Sequence, residues 1–192
     1  MRDIAALTFI TLDGVMQAPS MPDEDRSGSF SQGGWAAPYW EGVMEQVQTE
    51  AMAEPYDMLF GARTFDLFAG HWPDVEDNPV ADMMNAAKKY VVTSSQQPLA
   101  WTNAQPVSGD LATAISALKS SEGPLLQIHG SWQLLQFLVR LKLVDEFRLW
   151  TFPVVAGSGK RLFEPGSGRQ DLKLMKTAAC SNGAIMSIYR RR

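Results

Sequence analysis

The apolar positions change period along the chain. Ile4 to Leu12 is a short β-compatible run closed by the turn pair Asp13-Gly14. Tyr39 to Met52 carries apolar residues at helical spacing (Trp40, Val43, Met44, Val47, Met52) and stops before Pro55. Asp57 to Phe60 predicts a strand ending at Gly61, and the segment ARTFDLFAGHW a helix after it. Asp82 to Ala87 reads as a helix and KKYVVTSS as a strand. The segment DLATAISALKSSEG predicts a helix with Asp110 as N-cap and Gly123 beyond its end. Strand Leu125–Ile128, helix Ser131–Leu141 and strand Phe147–Val155 follow, and Leu172–Thr177 and Ala184–Tyr189 are weaker strands that close the chain. Between the first strand and the first helix, APSMPDEDRSGSFSQGGWAAP forms no regular element; so long a loop in a compact domain is functional or disordered. The alternation predicts an α/β fold with a mostly parallel sheet and an antiparallel C-terminal edge.

Composition narrows the class. With 192 residues, 45% hydrophobic and 20% charged, the chain suits one domain spanning 1–192 with a core that needs neither disulfide nor metal. A net charge of -4 argues against nucleic acid or an anionic membrane as the main partner. Cys180 is the only cysteine, so a reducing cytoplasm is the simplest compartment. No apolar stretch approaches the ~20 residues of a membrane span, and the N-terminus reads as a strand and not as a signal peptide.

Three strand ends carry small or hydroxylated residues before a helix or loop: Gly61-Ala62-Arg63-Thr64, Thr93-Ser94-Ser95 and Gly130-Ser131. Ligands of open α/β sheets sit beyond the carboxyl ends of the strands. Backbone donors at helix N-termini, hydroxyls and a guanidinium suit a ligand with several phosphates. Two of the ends also have a plain structural explanation: Ser131 as a helix N-cap, Thr93-Ser94-Ser95 as a turn. Together they favour a nucleotide site, although neither GxGxxG nor GxxxxGK[ST] is present.

The series LDGVMQAP, GGWAAPYW, LFGARTFDLFAGHWP, KKYVVTSS, IHGSWQLLQFLVRLKLVDEFRL and PVVAGSGKRLF resembles the dihydrofolate-reductase-like family, in the branch related to the reductase domain of the bifunctional riboflavin-biosynthesis deaminase–reductase. The likeness runs from about Ile4 to Tyr189 with the motifs in order. It implies an NADPH-dependent reductase, a homodimer, and a mixed, mostly parallel sheet of about eight strands with flanking helices. It places Gly61, Arg63 and Thr64 on the phosphate-binding turn, Thr93, Ser94 and Ser95 at the adenosine 2′-phosphate, and Gly130 and Ser131 against the pyrophosphate. Ala62 stands where relatives carry the motif's arginine, with Arg63 one position later. His129 replaces a glycine of dihydrofolate reductases, where the next peptide is cis, and leaves a cis His129-Gly130 bond as one alternative.

Hydride chemistry belongs to the nicotinamide, so the protein must hold two rings in contact and supply a proton. Asp13, at the end of the first strand, is one candidate acid; an Asp-Gly turn is its structural alternative. By resemblance, Glu45 on the first helix is the substrate-binding acid; a solvated helix-face charge is the alternative. His71 and His129 have no partners at metal-ligand spacing, so no metal is expected. GSGKR at 157–161 is a glycine-rich turn whose Lys160 and Arg161 could meet a substrate phosphate. Two functions remain: an NADPH-dependent reductase of a small heterocycle, pterin-like or pyrimidine-like, and a non-catalytic nucleotide- or ligand-binding module that keeps the fold. The zinc-deaminase signature HxE…PCxxC is absent, so the chain is not the full bifunctional enzyme.

Overall fold

The computed structural model describes residues 1–192 and holds one sheet of eight strands: β1 (Ile4–Thr11), β2 (Tyr56–Gly61), β3 (Lys89–Val92), β4 (Ala104–Val107), β5 (Leu125–His129), β6 (Glu146–Phe152), β7 (Leu172–Ala179) and β8 (Ile185–Arg191). Their spatial order is β4-β3-β2-β5-β1-β6-β8-β7. The first six run parallel, and β8 pairs antiparallel with both β6 and β7. The expected dihydrofolate-reductase-like architecture, mostly parallel with an antiparallel C-terminal edge, is therefore the one observed.

Both faces of the sheet are covered, which is why its inner strands read as continuous apolar runs. Helices α1 (Trp40–Ala51), α2 (Ala62–Ala69) and α3 (Pro79–Ala86) bury Val43, Val47, Phe65, Val80 and Met84 on one face. Helices α4 (Leu111–Ser120) and α5 (Trp132–Arg140) bury Ile115, Leu134, Leu135, Leu138 and Val139 on the other. In β2 the alternation is explicit: Met58 and Phe60 point to the first layer and Leu59 to the second. Asp110 caps α4 as expected, accepting from the Thr113 amide at 2.9 Å.

The differences from the expected elements have local causes. Strand β4 was not anticipated, because Ala-Gln-Pro-Val lacks periodicity; Pro106 is tolerated because β4 is a sheet edge with one neighbour. Helix α3 starts at Pro79, three residues before the expected Asp82, with the Asn78 side chain accepting from Val80 and Ala81. Strand β6 stops at Phe152, before Pro153, so Val155 is exposed and not part of a buried strand. Phe147, Leu149, Trp150 and Phe152 of β6 are buried between β1 and β8. The long loop after β1 is ordered and packed: Phe30, Trp35 and Ala36 are buried, and the Trp35 indole donates to the Gln17 carbonyl at 2.8 Å.

Candidate functional site

Strands β3, β2, β5, β1 and β6 are consecutive in the sheet, so their carboxyl ends form one row. Gly61 sits beside Val92 in register, which brings the Thr93 turn next to the start of α2. Helices α2 and α5 both begin on this row, and neither has a side-chain N-cap. The serine expected to cap α5 does something else. Ser131 stands at the N-cap position in the left-handed region (φ 61, ψ 64), and its Oγ accepts the Gly61 backbone N–H at 2.8 Å. A Cβ on Gly61 would lie 3.4 Å from that oxygen, so glycine permits the close approach. Gly130 precedes with φ 66, and a Cβ there would meet only the Thr64 methyl group, at 3.9 Å. Gly61, Thr64, Gly130 and Ser131 are thus brought together as one turn pair.

The other expected residues divide. Thr93 and Ser95 shape their own turn: the Ser95 amide donates to Thr93 Oγ1 at 3.0 Å, and the Gln97 amide to Ser95 Oγ at 3.1 Å. Ser94 and Ser95 are exposed beyond the end of β3. Arg63 turns toward the long loop, donating to the Glu24 carbonyl at 3.2 Å and pairing with Asp25 at 3.2 Å. Asp13 lies at the end of β1 as expected, but its carboxylate is occupied. Oδ1 accepts from Thr11 Oγ1 at 2.6 Å and the Ala156 amide at 3.0 Å, and Oδ2 from the Gly157 amide at 2.8 Å. The Thr11 hydroxyl is the largest influence on this carboxyl; burial opposes it, and the two amides reinforce it, lowering the pKa to about 2. Such a group carries no proton at neutral pH, and it braces the 156–157 turn instead of bonding only its own Asp-Gly turn. Glu45 is exposed. It lies two residues, about 200° of helix, from the buried Val43 and Val47, and so faces away from the sheet.

His129, whose sequence position suggests a partly buried polar residue facing the cofactor, lies elsewhere. It is buried on the α1–α2 face beside the Tyr56, Phe60 and Phe68 rings, and the Gln127 side-chain amide donates to its Nε2 at 3.0 Å. Burial, aided by the nearby Arg148 charge, pushes its pKa down to about 3, so it is a neutral core residue and not a cleft group. All peptide bonds are trans, His129-Gly130 included.

Of the neighbouring wall, sequence reading singles out only the turn that carries Lys160 and misses Gln17, Ser27, Trp132 and Glu164. A cleft of about 330 Å³ opens beside the turn pair, lined by Gln17, Ser27, Trp132, Lys160 and Glu164 among others. Buried Gln17 staples the long loop across it, with Nε2 donating to the Asp25 and Ser27 carbonyls at 3.1 and 2.9 Å and Oε1 accepting from the Lys160 amide at 3.0 Å. Arg161 is held internally, donating through Nε to the Asp13 carbonyl at 2.9 Å. The advance signals are the length of the loop, the glycine-rich turn that carries Lys160 and Arg161, and the position of Trp132 directly after Gly130-Ser131. No three His, Cys, Asp or Glu side chains are grouped to hold a metal, and no helix is long and apolar enough to cross a membrane.

Comparison with known proteins agrees with this fold. Residues 2–186 match the RibD C-terminal domain. The chain belongs to that family. It is 31% identical over 136 residues to the uncharacterised protein YyaP of Bacillus subtilis (strain 168), covering 69% of this chain and 72% of YyaP. Similar solved structures include a protein of Shewanella sp. PV-4 described as a riboflavin biosynthesis protein (TM-score 0.64, 16% identity, 100% of this chain and 99% of that one). A pyrimidine reductase-like protein of Corynebacterium diphtheriae gives a TM-score of 0.62 at 14% identity, with 100% and 92% covered. Dihydrofolate reductase of Enterococcus faecalis, complexed with NADP(H), gives 0.61 at 12%, with 99% and 96% covered. At these identities the structural likeness speaks for the fold; the RibD C-terminal match supports a reductase-type function.

The turn pair fits a dinucleotide. Two helix N-termini without side-chain caps present backbone N–H groups and the positive ends of their dipoles, a donor set that suits phosphate oxygens. The space over Gly130 lets a ligand approach the backbone.

Proposed function

We propose that this RibD C-terminal domain protein is an NADPH-dependent reductase of a small pterin-like or pyrimidine-like heterocycle. The observation that carries the reading is the pair of uncapped helix N-termini clasped through Ser131 and Gly61. In this reading the amides at the starts of α2 and α5 bind the pyrophosphate, Gly130 leaves it room, and Thr93, Ser94 and Ser95 lie nearest the adenosine 2′-phosphate. When bound, the nicotinamide supplies hydride. Asp13 acts as a positioning carboxylate: it fixes the 156–157 turn and Arg161, which form the wall beside the end of β1. Since Asp13 is ionised, Glu45 exposed and His129 neutral in the core, the substrate's proton comes from water in the cleft. A homodimer joined through the β7 edge is part of the same reading. The free, buried Cys180 fits a reducing compartment such as the cytoplasm.

Binding tests the proposal directly. A ligand that binds only the native state raises the melting temperature by mass action, so NADPH should raise it, and by more than NADH does. Turnover is then sought across pterins and phosphoribosyl pyrimidines. No shift with either nucleotide at millimolar concentration rejects the cofactor. A shift without turnover on any of them favours the non-catalytic module.

A further inference from the structure

Arg63 and Lys160 stand on opposite sides of the clasped helix ends. Arg63 is the second residue of α2, and the Lys160 ammonium lies 5.4 Å from the ring centre of Trp132, the first residue of α5. A single carboxylate joins them. Asp25 Oδ1 is 3.2 Å from Arg63 Nη1, and Oδ2 is 2.6 Å from Lys160 Nζ. Asp25 comes from the acidic run Asp23-Glu24-Asp25 within the long loop after β1. Its neighbours are otherwise committed. Asp23 pairs with Arg26, and the Glu24 carboxylate accepts from the Ser20 and Met21 amides at 2.8 and 3.3 Å. Of the three carboxylates only that of Asp25 reaches back to the helix ends, while the Glu24 backbone carbonyl accepts from Arg63 Nη2 at 3.2 Å.

We propose that Arg63 and Lys160 form a two-cation phosphate clamp whose resident occupant is the chain's own Asp25 carboxylate, which a ligand phosphate displaces. The inference rests on the dinucleotide reading for its choice of ligand. The ligand class is a phosphate or pyrophosphate ester: its oxygens replace the two carboxylate oxygens, and an added charge strengthens both contacts. It also accounts for the shift of the arginine by one position. Where Ala62 offers no charge, Arg63 and Lys160 supply it from the two flanks.

The exchange is local. The Asp25 carbonyl is held by Gln17, so turning the side chain outward frees the clamp without unpinning the loop. Ser27, which donates to Asp25 Oδ1 through its amide at 3.0 Å and its hydroxyl at 2.7 Å, belongs to the same loop. The Arg63 side chain is 63% exposed, so its contact with Asp25 is of the weak, screened kind that a phosphate readily replaces. The Lys160 contact, at 26% and 16% side-chain exposure, is the one that sets the cost of exchange.

Calorimetric titration with inorganic pyrophosphate tests the clamp on the wild type, Asp25→Asn, and Asp25→Asn combined with Lys160→Met, each checked for folding by circular dichroism. Removing the internal competitor should tighten pyrophosphate binding at least about fivefold, and adding Lys160→Met should abolish the gain. Asp25→Ser replaces Asp25→Asn if the latter does not fold. Equal or weaker binding after loss of the Asp25 carboxylate, a gain that survives Lys160→Met, or no binding by any variant overturns the clamp. NADPH is titrated in parallel. Tighter pyrophosphate without NADPH binding sustains the clamp and rejects the cofactor; NADPH binding with no effect of Asp25 does the reverse.

Discussion

The Ser131 hydroxyl accepts the Gly61 backbone N–H at 2.8 Å, so the end of β5 and the start of α2 are tied by one hydrogen bond between residues 70 apart in sequence. The bond explains why α5 begins without a side-chain cap; α2 lacks one because its N-cap residue, Gly61, has no side chain. Ser131 spends its oxygen on the neighbouring turn, and the first amides of α2 and α5 stay available to a ligand.

Two substitutions at Ser131 separate its hydroxyl from its backbone. Ser131→Ala removes the acceptor and leaves a β-carbon at φ 61, so it should cost about 1–2 kcal/mol of stability. Ser131→Gly loses the same acceptor but relaxes the left-handed residue, and should recover about 1 kcal/mol of that loss. Urea denaturation gives both values. Equal costs for alanine and glycine would mean that the left-handed backbone is not strained.

At Gly130 the expected effect is split between fold and ligand. Its φ of 66 means that Gly130→Ala should cost about 1 kcal/mol of stability, while the open space around the new methyl group keeps the protein folded. If the pyrophosphate approaches this backbone, the methyl group blocks it and NADPH binding should weaken about tenfold or more, as loss of one or two charge-assisted hydrogen bonds would require. Calorimetry on the folded variant decides; unchanged affinity makes Gly130 a turn residue only.

His129 should give the protein an acid-sensitive core. Its folded pKa of about 3 lies below the ordinary 6.5, so between those values the unfolded chain binds a proton that the native state does not. Stability contributed by this site is complete above about pH 6.5 and is lost as pH falls toward about 3. Between about pH 6 and about pH 4 the loss should be roughly 2–3 kcal/mol. His129→Gln keeps a polar partner for Gln127 and removes the titration, so its stability should fall less over the same interval. Parallel denaturation curves at the two pH values check this; the same loss in wild type and variant assigns the acid sensitivity elsewhere.

What could be read in advance follows from how local each feature is. The strands and helices that carry the turn pair were legible, because β2, β5 and α5 are strongly apolar with glycine punctuation. Strand β4 was not, since a short edge strand with Pro106 needs only backbone pairing to Lys89–Val92. That Gly61, Thr64, Gly130 and Ser131 are candidate site residues is legible from their strand-end positions, but the bond between Gly61 and Ser131 depends on strand order and on a serine in an unfavoured backbone region. Arg63 was placed on phosphate, while the structure pairs it with Asp25. Glu45 was positioned by resemblance across a loop of uncertain length, and the helix registers to bury Val43 and Val47 instead. The second wall, from Gln17 to Ser27, belongs to a loop without periodicity, whose packing comes from contacts distant in sequence.

The C-terminal edge provides the test of assembly. Strand β7 is the last in the sheet, so its outer backbone groups have no partner strand, and Leu174 and Met175 beside them are 49% and 50% exposed. An edge of this length invites pairing with another chain. Lys173 and Lys176 flank those two residues, and such charges discourage promiscuous pairing while tolerating one defined partner. The proposed homodimer uses this edge. Light scattering at micromolar concentration should therefore give twice the 21.2 kDa chain mass. Met175→Lys adds a third positive charge to the strand and would set like charges close together across a symmetric interface. It should yield a folded monomer with a melting temperature lowered only modestly, because the side chain is already half in solvent. A wild-type monomer at that concentration would remove the dimer from the proposal, and a dimer that survives Met175→Lys would move it to another surface.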